Sequence, residues 1–381
     1  MNPQSAAAKP GTKFTRGEFL YTTAAALGSL ALFAGPKAHA APPAEPAVKV
    51  ASSGKVYDLR DFVRWILETY EPSVRLPGGA GRYARSPGQT GTELYGVADM
   101  ACILYTLNAL KCSASERAEW AAAFQEFQNP DTGWLIEKKK THDPLHNTAF
   151  ALAAMQLLDL TPKFPVRLGP EFSDPRAFLA TLDWRKKMYP ESHKGAGSAT
   201  IMTLVPGLGS PKWFAEYFAA CDALVDPNNG LMGVDKPVQG DFDQIGGTFH
   251  YNFVYQHYHR RLPYPEKRID TVLRLQLPGG YWSPKNRLWL TLDAIYLMTR
   301  TLRYCPYRMD DVCQSIRRAL DAVQADFYSP EGRKENFTIE LATHALTAAI
   351  SIAAEAQQFF GAREIITELP LKLVLDRRPF I

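Results

Sequence analysis

Phe124-Gln125-Glu126-Phe127-Gln128-Asn129-Pro130-Asp131-Thr132-Gly133-Trp134 stands just ahead of an apolar helical stretch over 147–158. A second copy, Leu275-Gln276-Leu277-Pro278-Gly279-Gly280-Tyr281-Trp282, precedes another such stretch over 288–302. A weaker third is Asp226-Pro227-Asn228-Asn229-Gly230-Leu231-Met232-Gly233. The physics of the signature is local. Glycine permits the tight turn that ends one helix, and tryptophan offers a large flat ring to pin that turn against its surroundings.

Working outward, the chain from residue 55 reads as helices in pairs, with almost no alternation of period two. The first of each pair is amphipathic, as in Leu59-Phe62-Val63-Trp65-Ile66. The second is apolar all round, as in Met100-Ala101-Cys102-Ile103-Leu104, which marks a buried helix. The pairs are 57–70 with 94–110, 115–128 with 146–159, 175–187 with 196–205, 211–225 with 246–259, 265–276 with 287–303, and 309–326 with 336–359. A hairpin that recurs at this spacing buries its inner helix only against neighbouring copies. Six of them predict an all-α fold closed as a ring, an (α/α)6 toroid over 55–381. Two three-hairpin domains are the alternative that length alone allows.

The Gln…Gly-Trp segments resemble the repeats of the α/α-toroid proteins, among them terpenoid cyclases, protein prenyltransferases, six-hairpin glycosidases and polysaccharide lyases. That resemblance implies scaffold, and scaffold does not fix chemistry. Asp310-Asp311-Val312-Cys313-Gln314 is the nearest string to the cyclase aspartate motifs and does not match them. No Asp, Cys and His set of the prenyltransferase kind is recognisable either, so a cyclase- or prenyltransferase-like enzyme ranks third.

The 381 residues carry a formal charge of +4. Lys9, Lys13, Arg16 and Lys37 against Glu18 place +3 of this in the first 40 residues, which leaves +1 for the remainder. Charge therefore gives no reason to expect a nucleic-acid or membrane-surface partner. Those 40 residues read as an export signal: cations, an apolar run over 19–34, then Ala38-His39-Ala40. Thr15-Arg16-Gly17-Glu18-Phe19-Leu20 resembles the twin-arginine pattern and departs from it at Gly17. The competing reading is an uncleaved anchor, against which the shortness of the run counts. A Pro/Ala-rich linker over 41–54 follows, and the expected location is periplasmic or secreted.

Five cysteines give no zinc-like spacing. Cys102 and Cys112, ten apart on one predicted helix and about 15 Å along its axis, are too distant to bridge. Cys305 and Cys313 flank a Pro-containing turn and are the pair left open.

The same ring architecture is used by many glycoside hydrolases and polysaccharide lyases, whose substrates lie outside the cell. That resemblance implies that the segments leading into the inner helices line one mouth of the ring. Here those segments are polar: His142 to Asn147, Glu191 to Lys194, Asp241 to Asn252, Trp282 to Arg287, and Arg333 to Asn336. Gly-rich 75–92, with Arg82, Tyr83 and Arg85, is long enough for a lid. A lyase acting on a uronic-acid polymer needs a neutral base and donors for the developing enolate charge. His146, His193, His250 and Tyr251 are the catalytic candidates for that chemistry, with Asn147, Arg82, Arg85, Asn286 and Arg287 binding substrate. Tyr95 and Trp282 offer rings to stack on sugar faces. A hydrolase instead needs two carboxylates about 5–9.5 Å apart; Asp243, Asp99, Asp293 and Glu340 are the candidates. Each acid also has a structural reading, as a helix cap or an ion-pair partner. A protein that only binds glycan is the alternative from another class. No cofactor is expected; His142 and His146, four apart across Pro144, stay open as ligands of a divalent metal.

Overall fold

The computed structural model describes residues 54–139, 141–184, 188–233, 241–337 and 342–381. The proposed leader and most of the linker lie outside the described residues, and so does Glu340.

The fold is all-α, with one minimal parallel pair of strands, β1 (Tyr57–Asp58) and β2 (Ile365–Ile366), tying the two ends of the body together. The helices are α1 (Arg60–Trp65), α2 (Glu71–Val74), α3 (Leu94–Thr106), α4 (Ala114–Gln125), α5 (Pro144–Leu157), α6 (Pro175–Ala180), α7 (Met188–Leu204) and α8 (Pro211–Ala223). They continue with α9 (Asp241–His257), α10 (Pro265–Arg274), α11 (Arg287–Leu302), α12 (Met309–Val323), α13 (Pro330–Asn336), α14 (Thr343–Phe360) and α15 (Val374–Arg377). Local signals start many of them. Ser113 and Glu116 form a reciprocal capping box, and Asp143, Asp174, Ser210 and Ser329 each cap a helix whose first turn opens on proline.

The second helices of the predicted pairs pack in a circuit. Helix α3 lies on α5, α5 on α7, α7 on α9, α9 on α11, α11 on α14, and α14 returns to α3. They are the helices that read as apolar all round, and α3 buries every residue but Tyr105. The amphipathic partners α4, α10 and α12 lie against them from outside.

The repeat signature has a clear structural basis. The Gln128 amide donates to the carbonyls of Gly133 (2.9 Å) and Phe164 (2.8 Å), and that of Gln276 to Gly280 (2.8 Å) and Ser315 (2.8 Å). Glutamine thus ties its own turn to the following hairpin. Trp134 Nε1 reaches the Arg167 carbonyl, while Trp282 Nε1 turns back to Val272 on α10.

Two predicted helices begin later than the real ones. Helices α7 and α9 start at 188 and 241 rather than 196 and 246, so the segments around His193 and His250 are helical and not loops. The misleading residues are the glycines, which here allow close approach. A Cβ on Gly195 would stand 1.8 Å from the Tyr251 hydroxyl, and one on Gly246 would stand 2.5 Å from the Tyr189 ring. The lid expected over 75–92 is packed in its first half: Arg75 bridges Tyr83, and Tyr83 donates to buried Glu71. All five cysteines, Cys305 and Cys313 included, are free thiols. No helix among the described residues is long and apolar enough to cross a membrane.

Candidate functional site

Polar side chains from the first three turns of all six circuit helices meet at one end of the circuit. Tyr95 and Asp99 come from α3, His146 and Asn147 from α5, Tyr189, Ser192 and His193 from α7, His250 from α9, Trp289 and Asp293 from α11, and His344 from α14. Glu137, Thr141 and His142 join them from the segment before α5.

The deeper layer is three buried histidines. Ring centroids of His146 and His193 are 4.4 Å apart, those of His193 and His250 4.7 Å, and those of His146 and His250 6.0 Å. The Nδ1 atom of His146 lies 2.7 Å from the Tyr95 hydroxyl, which also donates to Asn147 Oδ1 at 3.1 Å. The Nδ1 atom of His250 lies 2.8 Å from Ser192 Oγ. His193 Nε2 is buried with no hydrogen-bond partner. Burial, reinforced by the neighbouring imidazoles, drives His146 and His193 well below the ordinary histidine range and His250 down to about 3. All three rings are therefore neutral at pH 7. Phe380 closes the floor, 5.0 Å from the His146 ring and 5.5 Å from Phe253.

A less deeply buried layer lies above it, with the His344 and His142 side chains 16% and 17% exposed. His344 Nδ1 sits 3.0 Å from Asp99 Oδ1, and Asp99 also accepts from Thr343 (2.8 Å) and Thr347 (3.0 Å). The His344 ring packs 4.3 Å from Trp289 and edge-on to Tyr95 at 4.9 Å. The His142 ring stacks on Tyr95 at 4.4 Å, with its Nδ1 shared by Thr141 (2.8 Å) and, at 3.7 Å, Glu137. Burial would raise the Glu137 carboxyl, but hydrogen bonds from His142 and Thr141, side chain and backbone, outweigh it and hold it at about 2. Arg85 lies over the Tyr95 ring at 5.0 Å, donates to Thr141 at 2.9 Å and stands 3.6 Å from Glu137. Desolvation pushes the Tyr189 phenol and the Asp293 carboxyl up, and Asp293 Oδ1 is buried without a partner.

The structure brings together His146, His193, His250, Asn147, Arg85, Tyr95 and Asp99, with Asp293 adjoining through Tyr189 and Gly246. Asp243 opens the first turn of α9, near enough to Tyr189 to act on its phenol electrostatically. It leaves others elsewhere. Tyr251 is buried on the far side of its helix against Trp184 and Tyr217. Arg82 pairs with Glu126, and Arg287 pairs with Asp326 and Asn336 above Phe327. Trp282 serves the α10 turn, and Asn286 sits at the start of α11 without capping it through its side chain.

Sequence reading missed His344, Glu137, Tyr189 and Trp289. One signal was available: His344 stands at a helix entrance, as His146 does. A cavity lined by Leu67, Glu71, Arg75, Tyr83, Cys112 and Trp120 lies apart from this cluster. Comparison with protein-family models, with curated proteins and with solved structures finds no match to this chain.

Proposed function

We propose that the chain is an exported (α/α)6 toroid whose histidine-rich end cleaves a uronic-acid polymer by β-elimination. The closed circuit of inner helices supports the toroid. The observation that carries the chemistry is His344, a partly buried imidazole oriented by Asp99 and standing beside Trp289. In this reading His344 Nε2 removes the proton α to the uronate carboxylate. The C4–O bond then breaks, a C4=C5 bond forms, and the leaving oxygen takes a proton. Tyr189 is suited to give that proton, because burial keeps its phenol protonated. Six helix N-termini and Arg85 supply positive potential for an anionic substrate, and Trp289 offers a face on which a sugar ring can stack.

Asp293 favours a second reading. A buried carboxyl held protonated is the general acid that a glycoside hydrolase needs, with Asp243 as the second carboxylate.

Incubation with a panel of uronic-acid polymers separates the readings. Elimination gives ultraviolet absorbance from the new C=C bond. Reducing ends without that absorbance indicate hydrolysis, and binding without product indicates a glycan-binding toroid. No binding and no product across the panel would reject the carbohydrate reading.

A further inference from the structure

We propose that His146, His193 and His250 form a three-histidine site for a divalent zinc-class ion, with one coordination position open toward the layer of His142. The three residues come from three successive circuit helices, and each offers a ring nitrogen within 4.8 Å of the other two. Nitrogens bound tetrahedrally to one zinc ion at about 2.0–2.1 Å stand about 3.3 Å apart, so small ring rotations close the gap.

Two further features point to an ion rather than to packing. Zinc-bound histidine ordinarily binds through one ring nitrogen while its other nitrogen is held by a neighbouring polar group. Tyr95 on His146 Nδ1 and Ser192 on His250 Nδ1 supply that arrangement and leave both Nε2 atoms for the ion. His193 Nε2, in turn, is a buried nitrogen with no hydrogen-bond partner, a costly state in a packed interior. Coordination would satisfy it. Three neutral imidazoles with no thiolate and no carboxylate suit zinc or its neighbours rather than calcium or magnesium.

The site's surroundings decide where the fourth ligand goes. Phe380 blocks the floor with an apolar ring, whereas His142 flanks the site from above, its ring 5.0 Å from that of His146. A water molecule or an anionic oxygen could occupy that side. The inference does not depend on the sugar reading, since it concerns occupancy and not turnover.

The test is metal content. Full-length protein is stripped with chelator, dialysed, and titrated with zinc and separately with cobalt(II). One equivalent of zinc per chain is expected, with cobalt giving the intense visible bands of a tetrahedral site. His193→Gln and His250→Gln should each lower affinity more than tenfold with helical circular dichroism unchanged, and His259→Asn, at an exposed histidine, should leave it intact. Ser192→Ala frees the His250 ring without removing a ligand and should weaken binding about tenfold, which tests the site even if the histidine variants fail to fold. Wild-type protein that binds no stoichiometric zinc overturns the proposal. So does zinc affinity equal to that of the parent protein in folded His193→Gln and His250→Gln, or in Ser192→Ala.

Discussion

The His344 Nδ1 atom lies 3.0 Å from Asp99 Oδ1, although 245 residues of chain separate the two. Helices α14 and α3 meet where the circuit of packed helices closes, so the pair exists only if the first and last helices of that circuit dock. Thr343 and Thr347 also donate to Asp99 and hold it toward the imidazole. This is the geometry by which a carboxylate selects the tautomer of a general base.

Replacing that carboxylate should therefore cost rate rather than fold. Asp99→Asn keeps the shape but only one acceptor oxygen, so it cannot serve both Thr343 on Oδ2 and Thr347 with His344 on Oδ1, and it no longer favours the proton on Nδ1. With His344 as the base, turnover is expected to fall roughly 100-fold or more, the scale of a positioned general base. Circular dichroism should not change. An unaltered rate would remove His344 from the role of base.

Asp293 predicts a pH dependence of stability. Its folded carboxyl is raised by burial above the ordinary value of 3.8, so the unfolded chain releases that proton first. The folded state then binds more protons than the unfolded state at pH above 3.8, and stability drains away as pH rises toward the folded pKa. Asn mimics the protonated acid, so Asp293→Asn should lose less stability between pH 5 and pH 8 than the parent protein. Urea midpoints at several pH values check this. A variant that tracks the parent across that range would show that Asp293 is not held protonated.

Much of this arrangement was legible in the sequence, and the failures have causes. Helices α3 and α11 stood out because a helical pattern apolar on every face has few alternatives to a buried helix. His146 and His193 were candidates because the sequence places both at predicted helix entrances, although His193 lies in the second turn of α7. Helix starts were lost where Gly195, Gly197, Gly246 and Gly247 imitate breaks, since only three-dimensional contact reveals that they make room for Tyr251, Leu145, Tyr189 and Met188. Tyr251 and Arg287 lie away from the histidine cluster because nearness in sequence to a helix entrance does not say which face of the helix a side chain takes. His344 was missed for the opposite reason: its partner Asp99 is distant in sequence, and no periodicity encodes that pairing.

Arg300 gives a prediction about the core. Its buried guanidinium pairs with buried Glu355 on α14 and reaches Asp376 on α15. Removing only the cation leaves Glu355 buried without its partner, which typically costs about 3–5 kcal/mol. Arg300→Met should therefore unfold at markedly lower urea concentration. The double variant Arg300→Met/Glu355→Leu should recover most of the loss, since an apolar pair needs no compensation. If the double variant is as unstable as the single one, packing of the arginine stem rather than the ion pair sets the cost.

The repeat turns make the sharpest structural prediction, because two adjacent glycines should respond differently. Gly280 has φ +90°, and a Cβ there would stand 2.5 Å from the Arg318 carbonyl on α12. That carbonyl belongs to a helix backbone and cannot swing aside as a flexible side chain could. Strain from the left-handed conformation adds about 1–2 kcal/mol, so Gly280→Ala should destabilise by roughly 2 kcal/mol or more. At Gly279 a Cβ would meet nothing within 4 Å, and Gly279→Ala should stay within about 0.5 kcal/mol of the parent. Urea denaturation of the two variants gives the comparison. Equal losses would mean that the turn relaxes as a unit and that the Gly-Trp signature marks composition rather than a fixed backbone geometry.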